Sequence, residues 1–282
     1  MKKIFTIIAL SLISMVSAQN KLPYKIFTAD GIETSYSEML KEIEKTDVLL
    51  FGEYHDNSLV HWLQLKTVQD ASKVRKLVLG AEMIEADDQL QLNRYLSGEI
   101  DQKAFDTLAR LWPNHKTDYK PLVDFAKDNK LNFIATNVPR RFASLVYKGG
   151  FEKLEVLSDE EKLWIAPLPV AYDKNLPGYK KMFDEMGDHG GENLPKAQAL
   201  KDATMAHFIL KNSNQNSLFI HFNGTYHSDF YDGIYWYLKS EKPKMKILTI
   251  ATVTAPESEL AIEDRKKADF IIVVDQDMTK TY

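Results

Sequence analysis

Two tetrapeptides, Gly52-Glu53-Tyr54-His55 and Gly224-Thr225-Tyr226-His227, each close an apolar run, residues 48–51 in one case and 218–222 in the other. A run of this kind that ends in Gly reads as a buried strand, with the Gly letting the chain turn sharply as it leaves the sheet. Two such exits from one parallel sheet bring Glu and His side chains to a single rim, where open α/β sheets bind ligands.

Further strand signals lie at 77–81, 132–136, 247–252 and 270–274, with helical patterns at 58–72, 88–96, 102–111 and 119–128. Ser58 is the expected N-cap of the first of these helices. The alternation predicts an α/β fold, a mostly parallel sheet flanked by helices. Segment 149–212 breaks the rhythm with Gly149-Gly150, four prolines and the Gly-rich stretch 187–191. It reads as a smaller inserted helical subdomain, with pieces at 159–165 behind a Ser158-x-x-Glu161 capping box, 179–186 and 196–211. Helical cover of this kind is either a lid over the ligand rim or a cap on the core. Residues 255–282 are expected to complete the sheet.

Residues 1–18 have the form of a secretory signal: Lys2 and Lys3, an apolar stretch to Val16, and the small-residue spacing Val16-Ser17-Ala18. That stretch is too short to cross a bilayer and no later one is apolar enough, so no transmembrane segment is expected in the mature chain. The protein is expected to be exported, periplasmic or secreted. The 282 residues carry a formal charge of −4 and no cysteine. Disulfides, thiolate metal ligands and a lipid-anchoring Cys are therefore excluded. The short basic runs 242–246 and 265–267 read as solvated surface, and nothing points to nucleic acid.

The residues that follow the strands carry the chemistry. They are Glu53, His55 and Asp56; Glu82 and Glu85; Asn137, Arg140 and Arg141; and Asn223, His227 and Asp229. His55, Glu82 and His227 have the donor types that hold a divalent metal ion and leave room for water or substrate, with Glu53 as the candidate catalytic base. Asn137 and Arg140 are candidate substrate-binding residues, Arg140 through a bidentate contact to carboxylate or phosphate. The plain alternative is structural: a rim Glu caps a helix, a His bonds to backbone, and Arg140 pairs with Glu82. His221, in phase with Phe219 and Asn223, reads as a core histidine. His61 lies one helical turn beyond the first motif, His115 faces solvent or an aromatic, and His189 sits in the Gly-rich joint. Within the insertion, Tyr179, Met182 and Met186 fall at helical spacing. They form either a core stripe or, if exposed, a grip for a flat apolar ligand or a second copy of the chain.

An ordered series of segments adds to this. It comprises Leu50-Phe-Gly-Glu-Tyr-His-Asp56, Gln64, Gly80-Ala-Glu-Met83, Gln89 to Gly98, Tyr119-Lys-Pro-Leu122, Asn137-Val-Pro-Arg140, residues 197–205 and Asn223-Gly-Thr-Tyr-His227. Over residues 36–254 it resembles the ChaN-like haem-binding uptake proteins of the Tiki superfamily. The resemblance implies haem binding in iron acquisition at the cell envelope, with haem between two subunits and a Tyr on iron. Tyr172 and Tyr179 are then the candidate haem ligands, and a homodimer is a candidate assembly. The superfamily also holds metal-dependent peptidases and esterase-like enzymes whose Gly-x-x-His and Glu pattern is matched by Glu53, His55, Glu82 and His227. The first expectation is thus an exported haem-binding protein whose helical subdomain holds the ligand. The alternative is a metal-dependent hydrolase working at the C-terminal rim of the sheet.

Overall fold

The computed structural model of the chain describes residues 22–186 and 191–282, so the secretory signal expected at 1–18 and His189 lie outside the described residues. Eight strands form one sheet: β1 Tyr24–Thr28, β2 Glu33–Thr34, β3 Val48–Glu53, β4 Lys76–Glu85, β5 Asn132–Asn137, β6 Ser217–Gly224, β7 Ile247–Ala255 and β8 Phe270–Asp275. Their spatial order is β2-β1-β8-β7-β3-β6-β4-β5. The six strands from β8 to β5 run parallel, while β1 joins β8, and β2 joins β1, in antiparallel pairs. From β3 the chain winds outward through β4 to β5, returns to insert β6 beside β3, then leaves toward the opposite edge. The reversal of winding falls where both Gly-x-x-His motifs end, which is where such sheets open a crevice.

The helices are α1 Tyr36–Ile43, α2 Ser58–Ala71, α3 Gln89–Leu96, α4 Gln102–Leu108, α5 Lys120–Asp128, α6 Arg140–Gly149, α7 Asp159–Lys162, α8 Pro177–Met186, α9 Asn193–Asn212 and α10 Ile234–Glu241. The cap of α2 is Asn57, whose side chain accepts from the Val60 N–H at 3.1 Å, and not Ser58. Ser158 and Glu161 form the expected reciprocal cap on α7. Both faces of the sheet are covered. On one, Leu63 and Val68 of α2 and Leu122 and Val123 of α5 share a core with Leu49, Phe51, Leu79 and Ile220. On the other, Met205, Ala206 and Ile209 of α9 pack with Leu50, Val78 and Phe219. Between β5 and β6 the regular structure among the described residues is wholly helical, and α6 and α9 enclose a further cluster around Phe142, Val146, Leu154 and Leu200.

Two details position the site. The pairing of β4 with β5 slips between Ala81 and Glu85, a bulge that redirects the side chains from Glu82 onward. Residues 280 and 281 return to the first motif: Lys280 bridges Asn57, and the Thr281 N–H donates to the Asp56 carbonyl at 2.8 Å. Among the described residues no helix is long and apolar enough to cross a membrane.

Candidate functional site

β3 and β6 are neighbours, with Gly52 opposite Asn223 and Glu53 opposite Gly224. The two motifs therefore leave the sheet side by side. A Cβ on Gly52 would meet the Ile250 carbonyl at 2.8 Å, and one on Gly224 would meet His55 Nε2 at 2.8 Å and Glu82 Oε2 at 3.4 Å. Both glycines are required by close approach, and the second shows that His55 and Glu82 crowd one point of the rim.

Two polar networks meet there. In the first, His55 Nδ1 bonds to Glu53 Oε1 at 2.8 Å, and the Tyr119 hydroxyl donates to the same oxygen at 2.8 Å. Gln64 donates to the other Glu53 oxygen, and His61 bonds to Gln64 and, through Nε2, to the His55 carbonyl at 3.1 Å. Glu53 is fully enclosed, whereas the His55 side chain keeps 29% of its surface exposed. In the second network, His227 Nε2 bonds to Glu82 Oε1 at 3.1 Å while its Nδ1 bonds closely to Asp202 of α9. Glu82 Oε2 also accepts the Gly224 N–H at 2.7 Å, and the Tyr179 hydroxyl donates to the second Asp202 oxygen at 2.7 Å.

The electrostatics follow from these contacts. Burial opposes charge on His227, but Glu82 and Asp202 outweigh it and hold its pKa up at about 10. Burial would raise Glu82, yet the His227 cation and the Gly224 N–H hold it well below the usual carboxylate range. Burial acts against charge on His55 too, and the Glu53 bond with the Glu82 field leaves its pKa raised. Glu53 is lowered against its burial by His61 and His55.

An imidazole with a carboxylate on each nitrogen has no lone pair for a metal ion. Among the described residues no group of three His, Asp or Glu side chains is arranged to hold one. The donor set therefore does not support the divalent-metal centre expected at His55, Glu82 and His227. What the rim does contain is a half-exposed imidazole, His55, backed by a buried carboxylate and able to exchange a proton.

The remaining candidates fall elsewhere. Arg140 has no ion pair or side-chain hydrogen bond among the described residues, so it does not pair with Glu82. Asn137 is buried with its side-chain oxygen unpartnered. His221 is a core histidine, fully buried, bonded to Thr136 and lowered to about 4 by burial. His115 is buried edge-on to Phe105. Tyr179, buried with its hydroxyl committed to Asp202, is withheld from any ligand. Tyr172 is half-buried, its ring centroid 5.8 Å from that of Phe151 and 5.7 Å from that of Tyr179. Asp202 and Tyr119 fall within segments that carry the family resemblance, yet nothing local to their sequence marks a residue that reaches across to a strand end.

Beside the motifs opens a cleft of about 320 Å³. α8 supplies Lys181 and Met182 to one wall, and Tyr54, Tyr226 and Phe230 from the rim supply the other. Tyr226 is 67% exposed and Phe230 45% exposed. Lys267 lies 2.7 Å from Asp264, 3.8 Å from Asp229 and 5.7 Å from the centre of the Phe230 ring. Burial raises Asp229 to about 6.

Residues 39–238 match the family described as haem-binding uptake, Tiki superfamily, ChaN. The chain belongs to this family. Among solved structures, this ChaN-family chain is similar to one described as cofacial heme binding to ChaN of Campylobacter jejuni. The two are 18% identical with a TM-score of 0.66, over 89% of this chain and 97% of that one, a likeness of fold. It is also similar to the RRSP effector domain of a MARTX toxin from Vibrio vulnificus CMCP6, 14% identical with a TM-score of 0.46 over 87% of this chain and 40% of that one. Among curated proteins it is 24% identical over 147 residues to RETICULATA-RELATED 5, a chloroplastic protein of Arabidopsis thaliana. That match takes in 49% of this chain and spans about a fifth, 20%, of the relative's length.

The ChaN family implies haem, and the cleft fits its chemistry. An exposed phenol and apolar side chains line it, suited to ferric iron and a porphyrin face; of its two ammonium groups Lys267 is held by Asp264 and Asp229, while Lys181 is exposed and lies 3.6 Å from Glu185.

Proposed function

We propose that this chain is an exported haem-binding protein of iron acquisition, working in the periplasm or outside the cell, and that it holds haem in the cleft between α8 and the rim. The single observation that supports this reading is Tyr226: an exposed phenol on the second Gly-x-x-His motif, at the lip of an apolar cleft. Tyr226 would ligate the iron, Met182 and Phe230 would lie against the macrocycle, and the exposed Lys181 would pair with one of its carboxylates. Bound there, haem supplies a ferric centre that takes an anionic oxygen ligand. The chain's own part is to present that oxygen, shed water from one porphyrin face and orient one propionate. About 320 Å³ lies near the low end of pockets that enclose a whole small molecule. One face of a seated macrocycle thus stays outside, and a second subunit would cover it.

Haemin titration followed at the Soret band tests the assignment. Tyr226→Phe should weaken binding by roughly tenfold or more, the loss of one contact worth at least about 1.4 kcal/mol, and should alter the ligand-to-iron absorption bands. Tyr172→Phe should change neither. A Tyr226→Phe protein that binds haemin as tightly and with the same spectrum would falsify the ligand assignment. No saturable Soret change in the unaltered protein would end the haem reading.

A further inference from the structure

A second cleft, of about 630 Å³, opens beside Trp112, within the size range of small-molecule sites. It shares no lining residue with the cleft at Tyr226. Its lining includes the apolar Leu111, Trp112 and Pro113 together with Arg140, Arg141 and Ser144 from the first two turns of α6. Trp112 is held by its neighbours, its ring centroid 4.7 Å from that of His55 and 6.1 Å from that of Tyr119, both edge-on. It is a flat surface fixed in orientation before any ligand arrives.

The charges in the cleft are unequally committed. Arg110 Nε lies 3.1 Å from Glu85 Oε2, and its terminal nitrogen bonds closely to Asp87. Arg141 donates to the other Asp87 oxygen at 2.5 Å, with its guanidinium 4.3 Å from the centre of the Phe142 ring. These two cations are neutralised and held. Arg140, exposed beside them, has no such partner among the described residues. Its helix opens on Pro139, which offers no side-chain cap, and has no acidic residue in its first turn. A lone guanidinium with its fork unspent, at the positive end of a helix and in the same cleft as a held indole, suits a ring that carries one anionic group.

We propose that this cleft binds a small aromatic or heteroaromatic compound bearing one carboxylate or phosphate, with its ring on Trp112 and its anion on Arg140. The proposal is independent of haem binding at Tyr226. Benzoate, phenyl phosphate and inorganic phosphate are titrated separately into the full protein, and the Trp112 indole N–H resonance, assigned by its loss in Trp112→Phe, is followed by NMR. The expected result is a saturable shift with benzoate or phenyl phosphate, whichever anion the cleft prefers, weakened by roughly tenfold or more in Arg140→Gln, as befits a charge-assisted bond. Arg140 is exposed, and an unchanged circular dichroism spectrum of Arg140→Gln confirms its fold. Absence of a saturable shift with either aromatic probe overturns the proposal, as does equal binding by Arg140→Gln. Inorganic phosphate binding as tightly as phenyl phosphate also overturns it, because the indole would then contribute nothing.

Discussion

His227 is a cation enclosed by two carboxylates, and its worth to the fold depends on pH in a definite direction. Held at about 10 against 6.5 for the free side chain, it contributes fully below pH 6.5 and loses that contribution as pH climbs toward 10. Glu82, lowered from 4.5, contributes above that pH and loses its share in acid. The urea midpoint should therefore fall on both the acid and alkaline sides. In His227→Gln the alkaline fall should shrink while overall stability drops by about 3–5 kcal/mol, since two carboxylates are left buried without their cation. An unchanged alkaline limb in that variant would show that His227 is not the titrating group. Gly224→Ala is a second test at this scale. A methyl group there collides with His55 Nε2, so the variant should lose about 1–3 kcal/mol in thermal unfolding and release His55 from Glu53, lowering the His55 pKa seen by NMR. The paired motifs were readable in the sequence because Gly and His stand at fixed offsets from apolar runs. Asp202 was not, because its partner His227 lies 25 residues away and only the packing of α9 brings them together.

At the scale of elements, the parallel strands were legible because burial on both faces makes them continuously apolar. The short antiparallel pair β1–β2 was not, since two residues of β2 carry no pattern. The edge strand β5 shows how such a sheet ends. Gln89 of α3 donates to the Phe133 carbonyl at 3.0 Å and accepts the Ala135 N–H at 2.7 Å, taking the place of a further strand. Gln89→Ala should cost about 1–2 kcal/mol in urea unfolding. It should also speed amide hydrogen exchange at Ala135, and unchanged exchange there would show that the capping is dispensable. Helix ends were read less well than strands. Asn57 displaced Ser58 as the cap of α2 because its side chain reaches the Val60 N–H, a choice that two adjacent capping residues leave to geometry.

For the whole molecule, the fold class was written in the alternation of strand and helix, whereas its assembly was not. If the cleft at Tyr226 leaves one porphyrin face uncovered, haemin should draw two chains together. Light scattering after size exclusion should show the mass rise toward twice the 32.4 kDa of one full-length chain as haemin approaches one per chain, with Phe230→Asp remaining single. A haem-loaded protein of unchanged mass would assign the whole site to one chain. The returning tail has a different consequence. The loop bearing His55 is tied at Asp56 and Asn57 by residues 280 and 281, more than two hundred positions downstream. A chain cut before residue 280 would lack that fastening and, with its sheet otherwise intact, would carry a loose first motif.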